Sequence, residues 1–300
     1  MLITGASGLL GAHLAAAMTA DYEVVGTDRH PWWGDVPIRL LQGELGDADF
    51  RRALMAEARP QVVIHCAGVV NVDLCEDNPV LAYAINGAVT GHLARLLPAG
   101  GLFVYVTTDG IFDGNVPMAT EQRLPCPRTV YGRSKLHGEW ETLLGAPNHL
   151  VIRTNFYGWS SGRKPTAGEW LFGALTVQEP ITLFDDFHFT PLYVGDLVDR
   201  MCALIESEHR GIFHVGGADR VSKHAFGLMM AEAAGLAATH VTAGSMDSAG
   251  FRAQRPKDMS LDSRRLADAL NRPSPPVMDG LRRFIADRQR PLSIRARRRS

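Results

Sequence analysis

Tyr131 and Lys135 stand four residues apart in the run Thr129-Val-Tyr-Gly-Arg-Ser-Lys135, which reads as the start of a helix ending near Leu144. On a helix that spacing puts both side chains on one face. A phenol titrates at about 10 in water, and an ammonium held beside it stabilises the phenolate. The pair therefore predicts an acid or base usable near neutral pH, lowered by Lys135. Such pairs are common on ordinary exposed helices, so the surroundings must give this one its meaning. Upstream, Gly101-Leu-Phe-Val-Tyr-Val-Thr-Thr108 is an apolar strand that ends in two hydroxyls, followed at once by Asp109. Thr108 is then placed to hydrogen-bond a carbonyl while Tyr131 exchanges a proton with it.

The elements that must position these groups begin at Met1. Met1 to Thr4 is a short apolar run leading into Gly5, Gly8 and Gly11, and Ala12 to Met18 is a run of strong helix formers. Strand, glycine turn, then helix is the context in which such a loop cradles a pyrophosphate. Gly5 supplies the tight turn, Gly8 admits a phosphate close to the backbone, and Gly11 brings the helix close to the strand. The second strand, Tyr22 to Asp28, ends in a carboxylate suited to ribose hydroxyls. Arg29 follows directly and suits a 2′-phosphate, which leaves NADH and NADPH both open. A third strand and its exit loop occupy 39–47, a helix 48–58, and a central strand Gln61 to Gly68. His65 inside that strand reads as a packed core residue. A single helix is predicted over 79–97, and a strand over Leu150 to Arg153. This alternation predicts an α/β fold with a doubly wound parallel sheet.

Beyond Gly158 the rhythm breaks. Helices are predicted at 167–178, 194–207, 222–235 and 279–287, with short strands at 181–184, 212–215 and 239–242. The division expected is a dinucleotide-binding domain at 1–158 and a smaller substrate-binding lobe at 159–300, with about 181–216 returning to the main sheet. At 300 residues, 46% apolar and 21% charged, the chain has the make-up of a soluble globular protein. A formal net charge of −1 gives no reason to expect nucleic acid or an anionic membrane as partner. No apolar run approaches the roughly 18 residues of a membrane span, and no leader segment is evident, so a cytoplasmic location is expected. The four cysteines are dispersed and form no C-x-x-C pair, which predicts reduced thiols. No histidine spacing predicts a metal site, and the basic end Arg295 to Ser300 reads as a frayed terminus.

Taken together, these motifs resemble the extended branch of the short-chain dehydrogenase/reductase superfamily, whose Rossmann-type members modify nucleotide sugars. Within it the chain looks most like the dTDP-4-dehydrorhamnose reductases. Thr107-Thr-Asp-Gly-Ile-Phe-Asp-Gly114 is similar to that family's S-T-D-Y-V-F-D-G, and Tyr131-Gly-Arg-Ser-Lys-Leu-His-Gly-Glu139 to its Y-G-x-T-K-x-x-G-E. Arg255-Pro256 with Ser260-Leu-Asp-Ser263 is similar to its late R-P and L-D-T segments. The resemblance implies Thr108, Tyr131 and Lys135 as the catalytic trio, with Lys135 also on the nicotinamide ribose. It implies a cofactor surface of Gly5, Ser7, Gly8, Leu9, Leu10, Gly11, Asp28, Arg29, Glu44, Leu45, Ala67, Gly68, Val69, Asn86 and Thr107. For the sugar it implies Asn71, Asp109 and Asn155, with Phe156 or Trp159 replacing a family tryptophan. Gly110 stands where the family usually has tyrosine, and Asp185-Asp-Phe-His-Phe-Thr-Pro191 departs from its D-x-x-G-x-P-T.

The activity this implies is reduction of a keto group on a nucleotide-activated deoxysugar by NADPH or NADH, with a homodimer as the expected assembly. Two alternatives stay open at this stage. One is a nucleotide-sugar epimerase of the same fold; the other is a non-catalytic cofactor-binding subunit, since relatives include a regulatory subunit of methionine adenosyltransferase.

Overall fold

Seven of the short apolar runs pair side by side into one parallel sheet. The computed structural model describes residues 1–160 and 164–295, and the last five residues of the basic end, 296–300, lie outside it. The strands are β1 (Leu2–Thr4), β2 (Val25–Asp28), β3 (Arg39–Gln42), β4 (Val62–His65), β5 (Leu102–Thr108), β6 (His149–Thr154) and β7 (Gly211–Val215). Their order is β7-β6-β5-β4-β1-β2-β3. The order reverses between β1 and β4, the switch point beside which open parallel sheets generally bind ligands. All seven residues of β5 are buried, as expected of a central strand covered by helices on both faces.

Helix 48–58 is observed as Ala48–Ala58, its start fixed by the Asp47 side chain, which accepts from the Asp49 and Phe50 amides. The segment predicted as one helix at 79–97 is instead three pieces. Pro79–Tyr83 and Val89–Leu96 are α-helical, and Ala84–Ala88 between them is a π turn containing Asn86. Asn86 is wholly buried, and the widened turn delivers its side chain toward the end of β4. His65 is a core residue, its ring between the Thr4 and Thr90 hydroxyls at 2.7 and 3.1 Å, and burial pushes its pKa down to about 3.

Only part of 181–216 returns to the sheet. Gly211–Val215 pairs with β6, and helix Val194–Glu206 before it packs on helix Leu9–Met18, where Cys202 meets Met18. Ile181–Phe184 pairs instead with Val241–Gly244, in a separate two-stranded ribbon of the second half. Helix Ala167–Val177 opens with a reciprocal cap between Thr166 and Glu169, and helix Lys223–Ala234 opens on Ser222. Tyr157, Phe226 and Phe284 pack edge to face beneath them. The four cysteines are free thiols. No helix among the described residues is long and apolar enough to cross a membrane.

Candidate active site

The glycine loop is built as its spacing predicts. Gly5 has φ +66°, and a Cβ there would lie 2.9 Å from the Ala67 nitrogen. A Cβ on Gly11 would lie 2.1 Å from the Gly5 carbonyl oxygen, so only glycine lets the helix sit this close to the turn. Gly8 begins helix Leu9–Met18 with no capping side chain and no acidic residue in the first turn. The positive end of the helix dipole is therefore left to a ligand. Asp28 lies beside the loop: one carboxylate oxygen accepts from the Ser7 amide at 3.0 Å and the other from the His30 amide at 2.9 Å. Arg29 is exposed and points along the same edge toward Glu44, 3.9 Å away.

The exit of β4 is clamped to the helix carrying Tyr131 and Lys135. Asn86 accepts from the Val69 amide at 2.8 Å and donates to the Val69 carbonyl at 3.0 Å and the Ser134 hydroxyl at 2.9 Å. Its amide is spent on the protein, so Asn86 supports Ala67, Gly68 and Val69 from behind rather than facing a cofactor. Glu139 and Arg153, both nearly inaccessible, form a 2.8 Å ion pair that ties the same helix to β6. A Cβ on Gly138 would fall 2.3 Å from the Tyr105 hydroxyl, which explains the Gly-Glu pair that follows the tyrosine motif.

Helix Val130–Gly145 starts at Thr129, whose hydroxyl accepts from the Gly132 amide at 3.0 Å, while Glu76 accepts from the Val130 amide at 2.7 Å. Lys135 is buried, donates to the Val106 carbonyl at 2.9 Å, and lies 4.3 Å from the centre of the Tyr105 ring. Burial brings its pKa down to about 8. Tyr131 departs from expectation. Burial raises its phenol well above the ordinary value, the hydrogen bond with Thr108 opposes this, and the charges of Asp109 and Cys75 add to it. Lys135 is turned toward the sheet backbone and does not offset the lost hydration. The phenol is thus protonated at neutral pH, the state a proton donor requires.

Thr108 donates to Asp109 at 3.0 Å and accepts from the Gly110 amide at 3.0 Å. The second Asp109 oxygen accepts from the Asn155 amide nitrogen at 2.8 Å. Asp109 is 1% exposed, and burial raises its pKa to about 6 against the pull of the Asn155 and Thr108 hydrogen bonds and the Lys223 charge. Tyr131, Thr108, Asp109 and Asn155 form one continuous polar chain.

That chain borders a cavity of about 210 Å³ whose other walls come from Val72, Gly110 and Thr129 and from the second half. Phe184, Phe187, Met246, Phe251 and Met259 supply its apolar surface. Lys223 also lines it, as do Arg255 and Pro256, the late dipeptide of the resemblance. Of the residues expected on the sugar, Asn155 is here and Asp109 lies just behind. The other three are elsewhere. Asn71 is exposed and caps helix Val72–Asp77 through the Leu74 amide. Phe156 pairs with Leu192 and packs on the main core. Trp159 stacks on Phe284 at 4.3 Å with the rings 3° apart and contacts Phe172 edge-on, so it is core of the second half. The aromatic wall and Lys223 have no local signature, because the segments that bring them together are joined only by the fold.

A protein-family model for the RmlD substrate binding domain matches residues 1–290. The chain is 30% identical over 284 residues to a probable low-salt glycan biosynthesis reductase, Agl14, of Haloferax volcanii, covering 93% of this chain and 95% of that one. It is 31% identical over 276 residues to methionine adenosyltransferase 2 subunit beta of Danio rerio, covering 89% and 83%. Among solved structures, dTDP-4-dehydrorhamnose reductase from Bacillus anthracis in complex with NADP superimposes with a TM-score of 0.85 at 26% identity, over 95% of this chain and 98% of that one. Seven parallel strands, the glycine loop and a match over nearly the whole length agree: the chain belongs to the RmlD substrate binding domain family.

Proposed function

We propose that the protein is an NAD(P)H-dependent reductase of a keto group on a nucleotide-activated deoxysugar. The observation that carries this reading is the junction of two surfaces. A protonated Tyr131 and the Thr108 hydroxyl border an aromatic, sugar-sized cavity, and the glycine loop and β4 exit open on the same sheet edge.

The residues present suit a dinucleotide. Gly5 and Gly11 let the turn and the helix pack with no side chain between them, the helix at Gly8 is uncapped, and the Thr107 hydroxyl is buried with no partner among the described residues. Gly5, Ser7, Gly8, Leu9, Leu10 and Gly11 would hold the pyrophosphate, and Asp28 and Arg29, with Glu44 and Leu45 nearby, the adenosine end. Ala67, Gly68, Val69, Thr107 and Lys135 would surround the nicotinamide end. When bound, the nicotinamide supplies a hydride to the carbonyl carbon. Thr108 would turn its single O–H from Asp109 to the substrate carbonyl, and Tyr131 gives its phenolic proton to the oxygen as negative charge develops there. Lys135, fixed by Val106 and facing Gly68, would hold the nicotinamide ribose with the N–H donors it has left.

Incubating the purified protein with nucleotide 4-keto sugars, dTDP-4-dehydrorhamnose included, and each of NADH and NADPH tests this directly. The expected result is loss of reduced-cofactor absorbance in step with sugar reduced. Conversion of the sugar without net oxidation would instead indicate an epimerase. The kinship with methionine adenosyltransferase 2 subunit beta supports a second reading, a cofactor-binding regulatory subunit. That reading predicts cofactor binding and co-purification with a catalytic partner, with no turnover of any keto sugar.

A further inference from the structure

The cavity beside Tyr131 holds two polar groups that the reaction, as derived above, leaves unused. Its polar lining comprises Thr108, Thr129, Tyr131, Asn155, Lys223 and Arg255. Thr108 and Tyr131 serve the carbonyl, Thr129 caps its helix, and Arg255 pairs with Asp73 at 3.1 Å while lying over the Phe251 ring. Lys223 and Asn155 remain. The Lys223 ammonium lies 3.5 Å from the centre of the Phe189 ring and 5.2 Å from that of Phe187. Its own backbone is pinned by the Phe187 carbonyl at 3.1 Å, and Ser222 caps the helix it begins. Aromatic faces attract the charge, yet they leave three N–H donors without an acceptor among the described residues. Asn155 is locked the opposite way round. Its side-chain nitrogen donates to Asp109, so its side-chain oxygen Oδ1 is the atom left over.

We propose that Lys223 is a substrate-binding residue of this cavity, its ammonium and the Asn155 side-chain oxygen together holding a sugar-ring hydroxyl beside the carbonyl that is reduced. The inference rests on the reductase reading. A hydroxyl both accepts and donates, so it satisfies the two groups at once. A second anion would face the Asn155 oxygen and the Asp109 carboxylate behind it, and Asp109 already balances the Lys223 charge. The hydroxyl belongs next to the carbonyl because the one Asp109 carboxylate orients both Asn155 and Thr108. For a 4-keto-6-deoxy sugar it is the C3 hydroxyl, since C5 carries the methyl substituent.

The test compares dTDP-4-dehydrorhamnose with its 3-deoxy counterpart as substrates for the wild type, Lys223→Met and Asn155→Ala. The wild type should prefer the hydroxylated sugar in kcat/KM by at least about 100-fold, because the unfilled polar pair rejects the deoxy compound. Each variant should cut that preference to below about tenfold by losing rate on the hydroxylated sugar alone, with NADPH affinity unchanged. An undiminished preference in folded Lys223→Met would overturn the inference, as would a wild type that reduces both sugars equally while the reductase reading stands. A wild type that binds NADPH but reduces neither sugar overturns the reductase reading and this inference with it. Should Lys223→Met fail to fold, Asn155→Ala provides the same ratio, and Lys223→Gln, which keeps a donor, should retain more of the preference than Asn155→Ala.

Discussion

The two sides of the active cleft are held by different physics. On the cofactor side, position is set by backbone conformation and buried polar locks: the glycine turn, the Asn86 clamp and the Glu139–Arg153 pair. On the side proposed for the sugar it is set by aromatic and methionine packing, with Phe184, Phe187 and Phe251 in the cavity wall and Trp159, Phe172 and Phe284 packed together elsewhere in the second half. Polar locks have one geometry, because a hydrogen bond lost in a buried place leaves a costly unpaired group. Packed apolar walls accept many solutions of similar volume. On the proposed reductase reading, a chain built this way would hold its proton-transfer chemistry fixed while the shape of the sugar pocket is free to differ.

Breaking a lock should be the most damaging change outside the trio. Glu139→Ala leaves the Arg153 charge buried beside His214 and Phe112. It should cost about 3–5 kcal/mol by chemical denaturation, and turnover should fall as the helix carrying Tyr131 loosens. A loss below about 1 kcal/mol would mean that the pair is not a lock.

The aromatic side should respond differently. Trp159→Ala should destabilise by about 3 kcal/mol in the same measurement, yet leave KM for the nucleotide sugar within about twofold, since Trp159 supports the lobe without lining the cavity. A large rise in KM at unchanged stability would return Trp159 to the sugar.

Asp109 sits at the seam and gives the smallest effect. Its folded pKa of about 6 lies above the ordinary 3.8, so its contribution to stability is complete below the unfolded value and is lost as pH rises through 6. Relative to Asp109→Asn, the wild type should therefore lose about 2 kcal/mol between about pH 4.5 and 7. A pH-independent difference would show that Asp109 is solvated, not sealed behind Thr108.

The same division governs what could be read from the residues. Gly5, Gly8 and Gly11 declare their roles because each answers a local backbone requirement, and helix Ala48–Ala58 carries its cap in sequence. Tyr131 and Lys135 are legible because helical spacing puts them on one face. The π turn at Ala84–Ala88 is not, since its cause is the reach of Asn86 across to Val69. Nor is the raised phenol of Tyr131, which follows from burial that spacing cannot reveal. Ile181–Phe184 has a strand's composition, but nothing local says that its partner is Val241–Gly244. The cavity wall is hidden for the same reason: Phe184, Lys223, Met246 and Met259 meet only after the second half folds.

The proposed reduction turns on Tyr131 as the donor of the proton. The most direct measurement is NADPH oxidation by Tyr131→Phe beside the wild type, on a nucleotide keto sugar that the wild type reduces, with NADPH affinity determined in parallel. The account predicts turnover lowered by about 10²–10⁴-fold with affinity unchanged within about twofold. Turnover within a few-fold of the wild type, with the cofactor still bound, would contradict it.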